Sequence, residues 1–195
     1  MAKLAGLEDA FATASAAASA TATATASAAE SAANPGVEIV EHYAGTGSTD
    51  FWGISYGFSS IDLEAIPDEA LERELALMRA CWAFFDNVRS RVSAELQKGP
   101  RGGGRDRDHL VRHTIAAELD WAKGLDLRPA LDDLMLTDEA LNDYRDAYVS
   151  AIRAKHSEGQ MSGKWPLRYL IRHTAYHTLD HAWEMEDKDL TGKQT

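Results

Sequence analysis

Cysteine is nearly absent from this sequence of 195 residues, which contains one, Cys81. A single thiol cannot form an intramolecular disulfide, which excludes the disulfide-stabilised scaffolds of small secreted proteins. Long apolar runs are missing as well, because none approaches the roughly 18 residues of a membrane-spanning helix. Near the N-terminus, Glu8 and Asp9 stand where a secretory signal has a compact apolar segment. These absences predict a cytoplasmic protein that has no membrane partner.

Positive charge is also in deficit. There are 20 Lys and Arg against 31 Asp and Glu, and the formal net charge is -11. Such a chain repels the phosphate backbone, so we expect no nucleic-acid partner. The length and the hydrophobic content of 45% are those of one globular domain with a sizeable core.

The composition divides the chain into three parts. Residues 1–34 are rich in Ala, Ser and Thr, and such a segment is either a weakly docked helix or disordered. Residues 35–66 form an N-terminal extension, in which alternating segments at 37–43 and 49–56 flank a glycine-containing turn and predict a small β-hairpin. Residues 67–191 carry the periodicity of helices.

Four helices are expected in this last part. The first begins near Pro67, where acidic residues follow, and runs until Gly99-Pro100 stops it. The second runs from Asp106 or Asp108 to Lys123. The third begins after the N-cap Thr137 and ends at Gly159, and the fourth begins at Pro166 and ends before Gly192. Four helices with short to moderate connections predict an all-α protein, a four-helix bundle.

The fourth helix carries two histidines on one face. At about 100° per residue, Leu170, Thr174 and Met185 lie on a stripe that contains His181, and His177 lies at its edge. Two imidazoles at i and i+4 are placed to share a metal ion. His173 lies a further 40° or so round the helix and is left out of the ligand set. The alternative is that these are polar residues at a helix seam, bonded to neighbours or to water.

A third ligand must come from another helix. His113 lies along an apolar stripe of the second helix, whereas His109 is one turn closer to the exposed loop. The same helix has another stripe through Val111, Ile115 and Leu119, so periodicity does not decide which side faces the fourth helix. His42 and His156 are interpreted as surface residues.

Acidic residues near these histidines are candidates for catalysis. Thr178 follows His177, so the Glu that serves as general base in a His-Glu-x-x-His protease is missing. Glu184, three residues after His181, is a candidate catalytic base or outer partner of a ligand, with a solvated helix-face acid as the alternative. Asp180 and Glu118 are expected to point away from the stripe.

A glycine-rich loop precedes the second helix. Arg101 and Arg105 flank Gly102, Gly103 and Gly104, a setting that can bind a carboxylate or phosphate of a cofactor. It is not a P-loop, because no Gly-Lys-Ser/Thr follows it. A solvated turn is the alternative interpretation.

Together these residues resemble a known family. His113 within Val-Arg-His-Thr-Ile-Ala-Ala-Glu, followed by His177-x-x-x-His181 on the last helix, is similar to the DinB/YfiT-like metalloprotein superfamily over roughly residues 67–190. The resemblance implies a four-helix bundle that holds zinc, nickel or a similar ion through one histidine of the second helix and two of the fourth. Those positions are His113, His177 and His181. The chain departs from the minimal family fold in its N-terminal portion.

Two functions remain open after this resemblance. Members of the family include thiol-dependent S-transferases or isomerases and hydrolase-like proteins, which implies a metal-dependent enzyme acting on a small molecule, with a low-molecular-weight thiol as a candidate partner. The alternative is a non-catalytic metal- or ligand-binding helical bundle. The expected cofactor is a divalent transition metal, zinc or nickel, because imidazole suits both. A homodimer is the candidate assembly.

Overall fold

The computed structural model describes residues 38–42, 58–100 and 102–192, which fall into two units divided between Glu64 and Ala65. These residues contain six α-helices and no named strand, so the prediction of an all-α class is confirmed for the described part of the chain. Residues 38–42, in the first strand of the predicted hairpin, are exposed and have no regular structure. The rest of the hairpin, and the segment 1–34, lie outside the described residues.

The first unit contains one short helix, α1 (Ser60–Leu63). Ser59 and Asp62 form a capping box, in which the Asp62 backbone N–H donates to Ser59 Oγ at 3.2 Å and the Ser59 N–H donates to Asp62 Oδ2 at 2.9 Å. The Ser60 N–H also donates to Glu41 Oε2 at 2.9 Å. Because these donors would otherwise lack a partner at the start of a helix, they explain how so short a helix begins here.

The second unit begins with the long helix α2 (Asp68–Arg91), which follows Pro67. The expectation that this helix continues to Gly99-Pro100 was wrong. Val92 has an extended backbone, the Ser93 N–H donates to Asp189 Oδ1 at 2.9 Å, and the Gln97 N–H donates to the Lys188 carbonyl at 2.8 Å. Pairing with the residues that follow the last helix replaces further helical hydrogen bonds.

Four more helices follow in the second unit. They are α3 (Arg107–Ala122), α4 (Leu131–Leu134), α5 (Asp138–Ser157) and α6 (Leu167–Asp187), with a 3-10 turn (Lys123–Leu125) after α3. The predicted N-cap of α5 is present, because Thr137 Oγ1 accepts from the Ala140 N–H at 3.1 Å. Pro166 immediately precedes α6. None of the helices in the described ranges is long and apolar enough to cross a membrane.

The core of the second unit lies between its long helices. Helix α6 packs most extensively against α2 and also contacts α3. Fully buried side chains come from all four long helices and include Phe85, Met78, Ile115, Tyr148, Ile152, Leu170 and Met185. The face of α6 that carries Leu170, Thr174 and Met185 is buried, as its periodicity predicts.

Candidate metal centre

Three histidines come together between α3 and α6. His113 lies on α3, His177 and His181 lie on α6, and one ring nitrogen of each is within 4.8 Å of the others. His177 Nε2 and His181 Nε2 are 3.2 Å apart. The His113 ring centroid is 5.6 Å from that of His177 and 5.0 Å from that of His181. The structure thus brings together the three histidines that the sequence analysis names as candidate ligands.

The periodicity of α6 explains how two of these rings converge. His181 is 8% exposed and His177 is half-buried, because the first lies within the buried stripe and the second at its edge. The hydroxyl of Thr178, which lies in this stripe, has a partner inside the helix, since Thr178 Oγ1 donates to the Thr174 carbonyl at 2.8 Å. It therefore does not compete for the imidazole nitrogens.

Glu184 orients the His181 ring. Its Oε2 is 2.8 Å from His181 Nδ1, and its Oε1 accepts from Lys188 Nζ at 2.6 Å. Partial burial of Glu184 favours its neutral form, but the hydrogen bonds from Lys188 and His181 outweigh this and hold the pKa of Glu184 below its usual value. An ionised Glu184 accepts a hydrogen bond from His181 when Nδ1 carries the proton, and in that tautomer the lone pair of His181 Nε2 is directed toward the cluster.

Protonation of the other two histidines is disfavoured. Burial, together with the nearby charges of His181, His113, His173 and Arg105, lowers the pKa of His177 to about 3. Burial, followed by the charge of Arg105, lowers the pKa of His113. Neutral imidazoles can donate a lone pair to a metal, and protonated ones cannot.

The donor set suits a metal ion. A tetrahedral site with metal–nitrogen bonds of about 2.0–2.1 Å needs nitrogens about 3.3–3.4 Å apart. The pair His177 Nε2 and His181 Nε2, at 3.2 Å, is already close to that separation. The His113 nitrogen would have to approach by a movement of its side chain, because the three atoms span up to 4.8 Å.

The remaining histidines lie outside this cluster. His173 stacks on Tyr169, with centroids 5.3 Å apart and planes 17° apart, and His109 is exposed. His42 is exposed, as expected. The expectation that His156 is a surface residue was wrong, because it is half-buried with Nε2 2.7 Å from the Ile66 carbonyl oxygen. Helix α5 brings it to the chain that precedes α2.

An aromatic side chain forms one wall of the centre. The Trp121 ring makes an edge contact with His177, at 5.1 Å between centroids, and another with His173, at 4.5 Å. Trp121 lies two turns after His113 on the same side of α3, as the stripe of that helix indicates. Its contact with His177 was not predicted, because periodicity does not say which helix a stripe faces.

The glycine-rich loop contributes one charge near the centre. Arg105 is half-buried, and its charge is close enough to His113 and His177 to lower the pKa of both. Arg101, the other arginine predicted as a candidate for anion binding, lies outside the described residues.

Glu118 is an acid whose burial the sequence analysis did not predict. It was expected to point away from the stripe that carries the candidate ligands, and it lies on the other stripe of α3, where it is 1% exposed and its Oε2 accepts from Trp82 Nε1 at 2.9 Å. Its Oε1 lies 3.9 Å from Arg145 Nε. The missed signal is its spacing of seven residues from Val111, which places it on the second stripe of α3. Asp180 is exposed, as expected.

Comparison with known proteins provides no counterpart for this centre. The ligand set is therefore supported by the geometry of this chain's own side chains, namely the separations, burial and hydrogen bonds given above. No protein family, no curated protein and no solved structure matches the chain.

Proposed function

We propose that this protein binds one divalent transition metal, zinc or nickel, through His113, His177 and His181. The observation that carries the proposal is the convergence of one nitrogen from each ring within 4.8 Å. Two of these rings belong to one helix and the third to another, so no local helix propensity explains their meeting. A shared cation would give all three lone pairs a partner in a largely buried place.

The arrangement of helices supports a four-helix bundle of the DinB/YfiT type as part of this proposal. Four helices of the described residues have 16 residues or more, namely α2, α3, α5 and α6. The histidines lie on the second and the fourth of these, the same distribution that the family resemblance implies. This part of the proposal covers residues 68–187.

Three imidazoles leave a coordination position for water or a substrate. A metal held in this way can lower the pKa of a bound water or bind a thiolate. We therefore extend the proposal to a metal-dependent enzyme of the S-transferase, isomerase or hydrolase type, acting on a small molecule. A non-catalytic metal-binding bundle is the alternative, and it predicts metal binding without any exchange of a small ligand at the open position.

Glu184 acts in this proposal as a positioning residue rather than a catalytic base. Both of its carboxylate oxygens are engaged, one by His181 Nδ1 at 2.8 Å and one by Lys188 Nζ at 2.6 Å. A carboxylate that accepts a hydrogen bond from a ligand histidine fixes the orientation of the ring and raises its basicity as a ligand.

Metal titration of the purified, chelator-treated protein tests the proposal. We expect one equivalent of zinc or nickel by elemental analysis after reconstitution at neutral pH, and loss of that equivalent in His113→Ala and in His181→Ala. His109→Ala, an exposed histidine on the same helix as His113, is the matched control and should bind metal as the wild type does.

Circular dichroism of each variant separates loss of ligands from loss of fold. A folded wild-type protein that takes up no transition metal would overturn the proposal. So would a folded His181→Ala variant that still binds a full equivalent with unchanged affinity.

A further inference from the structure

His177 and His181 differ in the partner of their second ring nitrogen. His181 Nδ1 is 2.8 Å from Glu184 Oε2, so a carboxylate orients that ring. His177 Nδ1 is buried and has no hydrogen-bond partner among the residues that the structure describes. Histidines that bind a metal almost always donate their second ring N–H to a carboxylate, a carbonyl or water, so this buried nitrogen requires an explanation.

The Trp121 ring lies against His177. The two ring centroids are 5.1 Å apart and the planes are 83° apart, so the edge of one ring meets the face of the other. His177 Nε2 faces His181 Nε2 at 3.2 Å, and Nδ1 points in a different direction because the two nitrogens occupy diverging corners of the imidazole. An imidazole N–H that points at an indole face at this separation makes an N–H···π contact, a weak hydrogen bond.

Other aromatic rings hold Trp121 in place. Its centroid is 4.5 Å from that of His173, with planes 66° apart, and 6.1 Å from that of Trp165. His173 in turn stacks on Tyr169. Because these contacts join α3 to the first half of α6, they fix the position of the Trp121 ring between the two helices that carry the three candidate ligands.

A metal ion on His177 would strengthen the contact with Trp121. When Nε2 donates its lone pair to the ion, the neutral ring carries its proton on Nδ1. Coordination also draws electron density out of the imidazole and makes this N–H more positive. The face of an indole is negative and attracts a positive group more strongly than the faces of other aromatic side chains do.

We propose that Trp121 is a positioning residue of the metal centre, whose indole face accepts the Nδ1–H of metal-bound His177 as Glu184 accepts that of His181. The inference rests on the metal-binding function proposed above and adds a residue outside the ligand set. Trp121 stabilises the orientation in which His177 Nε2 points at the ion. The contact is weaker than a hydrogen bond to a carboxylate, so its loss costs less metal affinity than the loss of Glu184.

Nuclear magnetic resonance of the zinc-loaded protein tests the contact directly. A proton above an indole face is shielded by the ring current, whereas a proton bonded to a carboxylate is deshielded. In the wild type we therefore expect the Nδ1–H resonance of His177 upfield of that of His181, and the adjacent Cε1–H of His177 shielded as well. Trp121→Leu should remove this shielding, and Trp121→Phe, which keeps an aromatic face, should retain part of it.

Zinc affinity, measured by competition with a chelator, tests the positioning role. Trp121→Leu should weaken zinc binding about three- to tenfold, and Trp121→Phe should recover most of this loss. Trp165→Leu is the matched control, because it removes an indole of the same aromatic cluster that contacts Trp121 and His173. Its zinc affinity should stay within about twofold of the wild type.

The outcomes separate this inference from the function on which it rests. A wild-type protein that binds no zinc overturns both. Zinc binding with a His177 Nδ1–H that is not shielded overturns the inference alone, and the wild-type spectrum decides this even where a variant fails to fold. If Trp165→Leu, folded by circular dichroism, weakens zinc binding as much as Trp121→Leu does, the loss comes from packing and the positioning role is overturned.

Discussion

Replacing Glu118 with Gln should remove a large pH dependence from the stability of the metal-free protein. Burial raises the pKa of Glu118 to about 7 from an ordinary 4.5, and this outweighs the opposing effects of Arg145 and the Trp82 hydrogen bond. Its Oε1 and Arg145 Nε are 3.9 Å apart, and neither atom has a hydrogen-bond partner among the residues that the structure describes. The ionised carboxylate is therefore only partly compensated in the folded protein.

The sign of the effect follows from the direction of the shift. Because the folded pKa lies above the unfolded one, the contribution of Glu118 to stability is fully present below pH 4.5 and is lost as the pH rises through about 7. A displacement from 4.5 to about 7 corresponds to about 3 kcal/mol of unfolding free energy. Most of this change should fall between about pH 5 and pH 8.

Histidines act in the opposite direction, so the assay must be differential. Burial lowers the pKa of His177 to about 3, and the unfolded chain therefore binds a proton that the folded chain does not as the pH falls below 6.5. This loss of stability at low pH is common to the wild type and to Glu118→Gln. Urea unfolding of both proteins with a chelator, at several pH values, gives a difference in which the histidine contribution cancels.

The difference should favour Glu118→Gln increasingly as the pH rises, by about 3 kcal/mol over the whole range. Glu72→Gln is the control. The hydrogen bond from Arg153 lowers the pKa of this exposed carboxyl, so removing Glu72 should give a small difference of the opposite sign. A wild-type minus Glu118→Gln difference that does not change between pH 5 and pH 8 would refute the reasoning, because Glu118 would then have the same pKa in both states.

Three further predictions concern the metal centre and the packing of the second unit. His173→Ala should retain the metal equivalent that His177→Ala loses, as measured by elemental analysis, because the His173 ring stacks on Tyr169 outside the cluster. Glu184→Gln should weaken zinc affinity by roughly 10- to 100-fold in a competition titration with unchanged circular dichroism, and unchanged affinity would remove its positioning role. Gly124→Ala should lower the free energy of unfolding by about 1–3 kcal/mol, because an added Cβ would meet the Ser162 backbone carbonyl carbon at 2.9 Å. A variant as stable as the wild type would contradict this close contact.

Local signals in the sequence determined where several helices begin and end. Thr137 caps α5, Pro166 immediately precedes α6, and the chain leaves the end of α5 at Gly159, which has a φ of 65°. These signals are readable because capping and steric limits act between residues that are close in the chain. The i, i+4 spacing of His177 and His181 likewise fixed the separation of two rings along one helix face.

What those helix faces meet depends on how the helices pack against one another. The sequence left two stripes on α3. The packing of α3 against α6 turns His113 to the cluster and leaves His109 exposed, whereas Glu118 is buried beside Trp82 of α2. Helix α2 stops at Arg91 because the residues after it pair with Asp189, which is far away in the chain. Periodicity orients a side chain about its own helix axis, whereas the partner of a buried polar group depends on the packing of another helix, and no local pattern encodes that packing.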